Sequence, residues 1–316
     1  MGHRGLDSTT GLDRSRRLYR SKGSDKPIKR HMSTAWFASR GLVCGILGGV
    51  VAAVLLLATV EPYISRAIAF EEATKESIVA SEVGASGSLP FSDSSDGQPQ
   101  EDELFTRRQQ IVGGLTGTVL GGAIWGLLFG LGLALVRKVF WKPDSMGASF
   151  GKARRRPEWL WTLVGSFACF VVLSLVPLLV YPPNPPGVGD PETIGRRTAA
   201  YVAMVVGSLC AAILAWSVYK VAASKLARAP LPATLGLGTY IAGVALLAEV
   251  LPDADPIDPA FPSDVLWGFR AGSLAMLAVM WLTIGTAMAL VIRQAARGKT
   301  LGEERALLDY EDPGSG

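Results

Sequence analysis

Histidine is nearly absent from this chain: 316 residues hold two, His3 and His31, both ahead of the first long apolar run. No histidine-based triad and no His-Glu-x-x-His zinc helix can therefore lie within the apolar blocks. Cysteine is scarce too. Cys44, Cys169 and Cys210 all fall inside apolar blocks, whereas a disulfide framework or zinc site needs cysteines at loop spacings, so they read as small packing groups. Phosphate loops are missing as well. Gly147 to Lys152 is one residue short and runs into Ala153, and Gly298-Lys299-Thr300 lacks its upstream glycine, so no ATPase is visible. Charged residues are only 18% of the chain, and no nucleic-acid partner is expected.

What the chain does have is apolar length. Hydrophobic residues make up 49% and the mean hydropathy is +0.31. Crossing about 30 Å of hydrocarbon takes roughly 20 mostly apolar residues. Six blocks qualify, at 38–60, 111–136, 159–181, 198–219, 233–251 and 267–292. The fifth is the weakest, interrupted by Gly236, Gly238 and Gly243 and carrying the acid Glu249, expected to be buried. The first block follows a long basic tail and has no Ala-x-Ala site, so it reads as a span and not a cleaved leader. Lys and Arg gather in the tail, in the loop 137–158 and at the C-terminal end, while the alternate loops are acidic. Excess positive charge marks the cytoplasmic side. The expectation is an all-α integral membrane protein: a six-transmembrane-helix bundle, N-in and C-in, with Pro-rich outer loops.

Three regions follow from this. Residues 1–34 form a basic cytoplasmic tail with no apolar periodicity, expected to be disordered, in which Met32 offers an alternative start. Residues 35–295 are the transmembrane domain, and 296–316 a short cytoplasmic tail. The first outer loop, 61–109, is expected to hold a short interfacial helix from Glu61 to Glu82 and then a Ser/Gly/Asp-rich linker. The second, Tyr181–Arg197, concentrates Pro182, Pro183, Pro185, Pro186 and Pro191; the third, Leu251–Asp264, carries Pro252, Pro256, Pro259 and Pro262. Proline fixes φ, so both loops are expected to be stiff caps. Glu61-Pro62, Tyr181-Pro182 and Glu249 with Pro252 faintly repeat an acid or tyrosine and a proline at a helix end, as three hairpins in series would.

Glycines recur at four-residue steps: Gly41, Gly45 and Gly49 in the first block; Gly113, Gly117 and Gly121, then Gly122, Gly126 and Gly130, in the second. Such stripes lie on one helix face and let backbones approach closely in lipid. The first two spans are expected to pack through them, with Gly45 opposite Gly117. Met276, Met280 and Met288 at helical spacing read as gap-filling core rather than a soft-metal stripe.

Four stretches resemble the CbtA family of cobalt transporter subunits. They are Glu61-Pro62 through Arg66-Ala-Ile-Ala-Phe-Glu-Glu-Ala73, the glycine-rich second span after Arg108, Tyr181-Pro-Pro-Asn-Pro-Pro-Gly-Val-Gly-Asp-Pro-Glu-Thr-Ile-Gly-Arg-Arg-Thr198, and Phe261-Pro-Ser-Asp-Val-Leu-Trp-Gly-Phe-Arg270. They place the resemblance over about 36 to 292. It implies a subunit of a cobalt(II) uptake system serving cobalamin synthesis, with cobalt(II) as the transported ion, no bound cofactor, and a small histidine-bearing CbtB-type membrane partner beside the lipid bilayer. Residues 74–104 lack the histidines that family members often carry there, which leaves oxygen ligands. Glu61, Asp190, Glu192 and Glu249 are the candidate metal-path residues. Asn184, Arg196, Arg197, Asp264 and Arg270 are candidates for holding those acids and the proline-rich caps. Carboxylates at an outer mouth concentrate a divalent cation. Moving two charges inward through 100 mV gains about 4.6 kcal/mol, at roughly 2.3 per charge, so uptake needs no attached ATPase. Because nickel and copper bind such sites more tightly than cobalt, geometry or a partner must select. A non-transporting assembly subunit, a carrier of another divalent metal and a lipid-modifying membrane enzyme stay open beside this reading, as does a homo-oligomer. The expected location is the bacterial cytoplasmic membrane.

Overall fold

A computed structural model of the chain describes residues 32–85, 106–140, 157–189, 191–226, 230–254 and 256–311. The expected disorder of the N-terminal tail, Asp190 and the first phosphate-loop near-miss lie outside them. The described residues form helices joined by loops, without strands. They form α1 (Thr34–Leu55), a π-helical turn (Leu56–Val60), α2 (Glu61–Ala85), α3 (Arg107–Phe140), α4 (Glu158–Phe170), a second π-helical turn (Val171–Leu175), α5 (Val176–Val180), a 3-10 turn (Pro191–Thr193), α6 (Ile194–Lys225), α7 (Leu231–Val250) and α8 (Ser263–Glu311). Six helical stretches are long and apolar enough to cross a membrane, matching the six blocks in the sequence. Gly298-Lys299-Thr300 sits within α8, a helix and not a phosphate-binding loop.

Local chemistry sets the helix limits. Ser33 caps α1, its hydroxyl accepting from the Trp36 amide at 3.1 Å, as an N-cap serine should. Glu61-Pro62 does not end this helix, contrary to expectation. The first spanning stretch runs unbroken from Thr34 to Ser81, about 70 Å at 1.5 Å per residue. That exceeds the roughly 40–45 Å of a bilayer with its headgroups, so α2 continues the span out of the membrane and is not a separate interfacial helix. Proline lacks the N–H and crowds the carbonyl four residues back; the π-turn just before Pro62 widens the helix and absorbs that conflict. The same register recurs in the third span, where the π-turn Val171–Leu175 ends two residues before Pro177. Each turn also takes part in a hydroxyl bond: Thr59 of the first donates to Leu55 O, at the end of α1, at 2.8 Å, and Ser208 of α6 donates to Val172 O of the second at 2.8 Å.

The spans pack side by side in the order α3, α1, α8, α4, α6, α7. The densest core lies where α8 meets α1, α3 and α4, around Trp281, Met280, Ile284 and Met288 with Phe37, Cys44 and Phe129. Met280 and Met288 are thus core, as read from their spacing. Spans one and two do pack through glycine, but in a different register from the one expected. A Cβ on Gly126 would meet Gly41 O at 2.3 Å and Gly45 Cα at 2.4 Å, whereas one on Gly113, Gly117 or Gly121 would meet nothing within 4 Å. Periodicity gives both stripes of α3 equal standing; only packing selects Gly122, Gly126 and Gly130. At the other end of the row, α6 buries Ala200, Met204, Ser208, Ala211 and Ala215, and Gly236 and Gly243 of α7 lie against Ala215 and Ala211.

Candidate functional site

The two proline-rich loops, the start of α6, the start of α8 and the projecting α2 meet at one end of the bundle. Between them lies a cavity of about 700 Å³, walled by prolines 182, 183, 185 and 186 and by Tyr181, Tyr201, Arg196, Arg197, Arg270, Glu71 and Asp253.

Each wall is fixed by a specific bond. Arg270, on the first turns of α8, donates from Nε to Pro183 O at 3.3 Å and from Nη2 to Asn184 Oδ1 at 2.9 Å. Its guanidinium also sits over Trp267, 5.5 Å from the ring centre. Tyr181 donates its hydroxyl to Pro252 O at 2.5 Å, tying one proline-rich loop to the other. Burial, and after it the Asp253 carboxylate, pushes the Tyr181 phenol up from its ordinary value. Arg197 donates to Val188 O at 3.3 Å. Gly187 and Gly189 have φ of +78° and +98°, a left-handed turn that glycine adopts without strain. A Cβ on Gly187 would press on the Glu71 carboxylate, and one on Gly189 would lie 2.7 Å from Arg197 Nη1; both are ends of flexible side chains that can turn aside, so it is the backbone angle that calls for glycine. Phe70 of α2 meets Phe261 edge-on at 5.4 Å, and the ring of Tyr63 lies against Gly268 of α8. The caps are therefore held as one piece.

The sequence candidates divide. Asn184, Arg196, Arg197 and Arg270 line the cavity. Glu61 is half-buried and pairs instead with Arg107 at the start of α3. Glu192 is exposed in the 3-10 turn and Asp264 is exposed in the first turn of α8, where its charge suits the helix N-terminus. Glu249, expected to be buried, is exposed at the last turn of α7; α7 is the edge of the row, so a position inside an apolar block need not be inside the bundle. Among the described residues no three His, Cys, Asp or Glu side chains come together in a metal-holding group. Glu71 is not among the sequence candidates. The signal that would have found it is the Gly-Val-Gly turn, whose bare backbone invites close approach. Tyr63, Asp253 and the Tyr181 hydroxyl carry no such signal.

Chemically, this end offers a rigid mouth with three guanidinium groups and two carboxylates around it, and separate single carboxylates beyond it. Residues 35–293 match the model of one protein family, described as a probable cobalt transporter subunit (CbtA). No curated protein and no solved structure matches the chain.

Proposed function

The chain belongs to the CbtA family of probable cobalt transporter subunits, and from that premise we propose that it passes cobalt(II), or helps to pass it, into the cytoplasm of a bacterium for cobalamin synthesis. The observation that carries the reading is the extent of the family match, which takes in all six membrane-crossing stretches. In this reading the basic end of the bundle is cytoplasmic, the proline-capped end faces outward, and no catalytic step is assigned to the chain.

Glu61, Asp190, Glu192 and Glu249 are proposed as carboxylates that the cation meets one at a time. Among the described residues, Glu61, Glu192 and Glu249 stand in no metal-holding group, which favours such a role. A transport site must bind well enough to accept the ion and weakly enough to release it, and a full cage of ligands would hold cobalt(II) too long. Arg196, Arg197 and Arg270, with Asn184, shape the cap, and Asp264 supports the start of α8. Glu249→Ala should abolish cobalt uptake in cells lacking other importers while the protein stays at its normal level in the membrane; undiminished uptake removes Glu249 from the path.

A second reading has its own support. The absence of a metal-holding group among the described residues, and an α7 that buries little of itself in the bundle, both suit a subunit that works with a partner. A histidine-bearing CbtB-type membrane protein, or a second copy of this chain, would then complete the route. Proteoliposomes holding the pure chain separate the two readings. Flux of radiolabelled cobalt without a partner favours transport by this chain, and flux only after a partner is added favours the accessory role.

A further inference from the structure

The row of spans has a symmetry that the family description does not contain. Numbered along the chain, the spans pack in the order two, one, six, three, four, five. Exchanging the first three spans with the last three, one for four, two for five and three for six, returns the same order read backwards. Each half has three spans, so corresponding spans run in opposite directions. The contacts agree: Glu61–Arg107, Tyr181–Pro252 and Arg270–Asn184 lie at one end, and Arg137–Glu158 and Arg293–Trp159 at the other. The sequence carries an independent trace of the same pairing. The third span begins Glu158-Trp-Leu-Trp161 and continues Gly165-Ser-Phe-Ala168; the sixth begins Asp264-Val-Leu-Trp267 and continues Gly272-Ser-Leu-Ala275, with one extra residue between. Small residues join one to two and also four to five.

The two ends are not in the same state. At the proline-capped end, the close of the third span and the starts of the fourth and sixth surround the cavity. The exchange maps these walls onto the close of the sixth span and the starts of the first and third. There the described residues close on one another. Glu158 meets Arg137 at 3.4 Å, Arg137 covers Phe37 at 5.7 Å, and Arg293 covers Trp159 at 6.0 Å. Phe37, Ala134 and Ile292 beneath them are buried.

We propose that the protein is an inverted repeat of two three-helix halves whose third helices are exchanged, and that Phe37, Arg137, Glu158, Trp159 and Arg293 form the lock that closes the end opposite the cavity. Inverted halves can trade conformations, so opening the lock and closing the cavity are one rocking movement about the contact of α8 with α4. The assignment builds on the transport reading, but its test needs no cobalt and stands or falls separately.

The full chain is placed in nanodiscs with Cys44→Ala, Cys169→Ala and Cys210→Ser, and Ala134→Cys is added beneath the lock. Labelling by a small water-soluble maleimide reads opening. Glu158→Gln should speed labelling about two- to five-fold, the scale of a partly exposed ion pair, and Arg137→Gln should do the same. The charge exchange Arg137→Glu with Glu158→Arg should restore slow labelling. Ile194→Trp enlarges an exposed side chain that lines the cavity and wedges it against closing. That wedge should cancel the acceleration. Acceleration that survives the wedge would mean local fraying and overturn the rocking movement, and unchanged labelling in both Gln variants would overturn the lock.

Discussion

Gly126→Ala tests the closest packing in the molecule. The added Cβ would lie 2.3 Å from Gly41 O, 2.4 Å from Gly45 Cα and 2.6 Å from Gly45 N. Ordinary contact begins near 3.4 Å, so α1 and α3 must separate by about 1 Å, because every clashing atom is backbone and none can turn aside. Overpacking of this kind costs typically 1–3 kcal/mol, and the upper half of that range applies where no side chain can yield. For a chain of this size each kcal/mol lowers the melting temperature by roughly 2–4 °C, so a fall of about 4–12 °C is expected. The matched control is Gly117→Ala: nothing lies within 4 Å of its Cβ, and alanine is the better helix former, so its melting temperature should hold or rise slightly. The assay is thermal unfolding of the detergent-solubilised chain, followed by loss of the monodisperse peak in size-exclusion chromatography. Equal melting temperatures for the two variants would refute the register of the glycine contact, and with it the argument that α1 and α3 approach backbone to backbone.

Three further outcomes follow from single contacts. Ser208→Ala strands Val172 O in the π-turn and the Tyr240 hydroxyl, which lies 2.9 Å from Ser208 Oγ; it should cost about 1–2 kcal/mol, and adding Tyr240→Phe should cost less than the same change made alone. Gly187→Ala forces a non-glycine residue to φ +78° beside the Glu71 carboxylate, at a cost of about 1–2 kcal/mol. Protease cleavage within 182–189 should accelerate, and unchanged cleavage would refute the tight turn. Arg270→Lys loses the planar fork that reaches Pro183 O and Asn184 together, and an ammonium cannot replace it. Hydrogen exchange at Val188 and Gly189 should quicken while the melting temperature falls by about 2–4 °C; protection equal to the native chain would show that the loop holds itself.

The sequence by itself determined the membrane class, the six spans and the pairing of the first two through glycine. Those follow from length and period, which neighbours along the chain express: roughly 20 apolar residues either cross a bilayer or do not, and four-residue steps fall on one helix face. Tertiary structure decided the rest. Two glycine stripes on α3 look alike until a partner helix selects one, and Glu249 looks buried until α7 is found at the edge of the row. Glu61-Pro62 reads as a helix end until a π-turn shows the helix passing through it. The cavity joins side chains from Glu71 to Arg270, and no local pattern records contacts between residues so far apart, since the free energy that brings them together belongs to the packing of whole helices and not to any one segment.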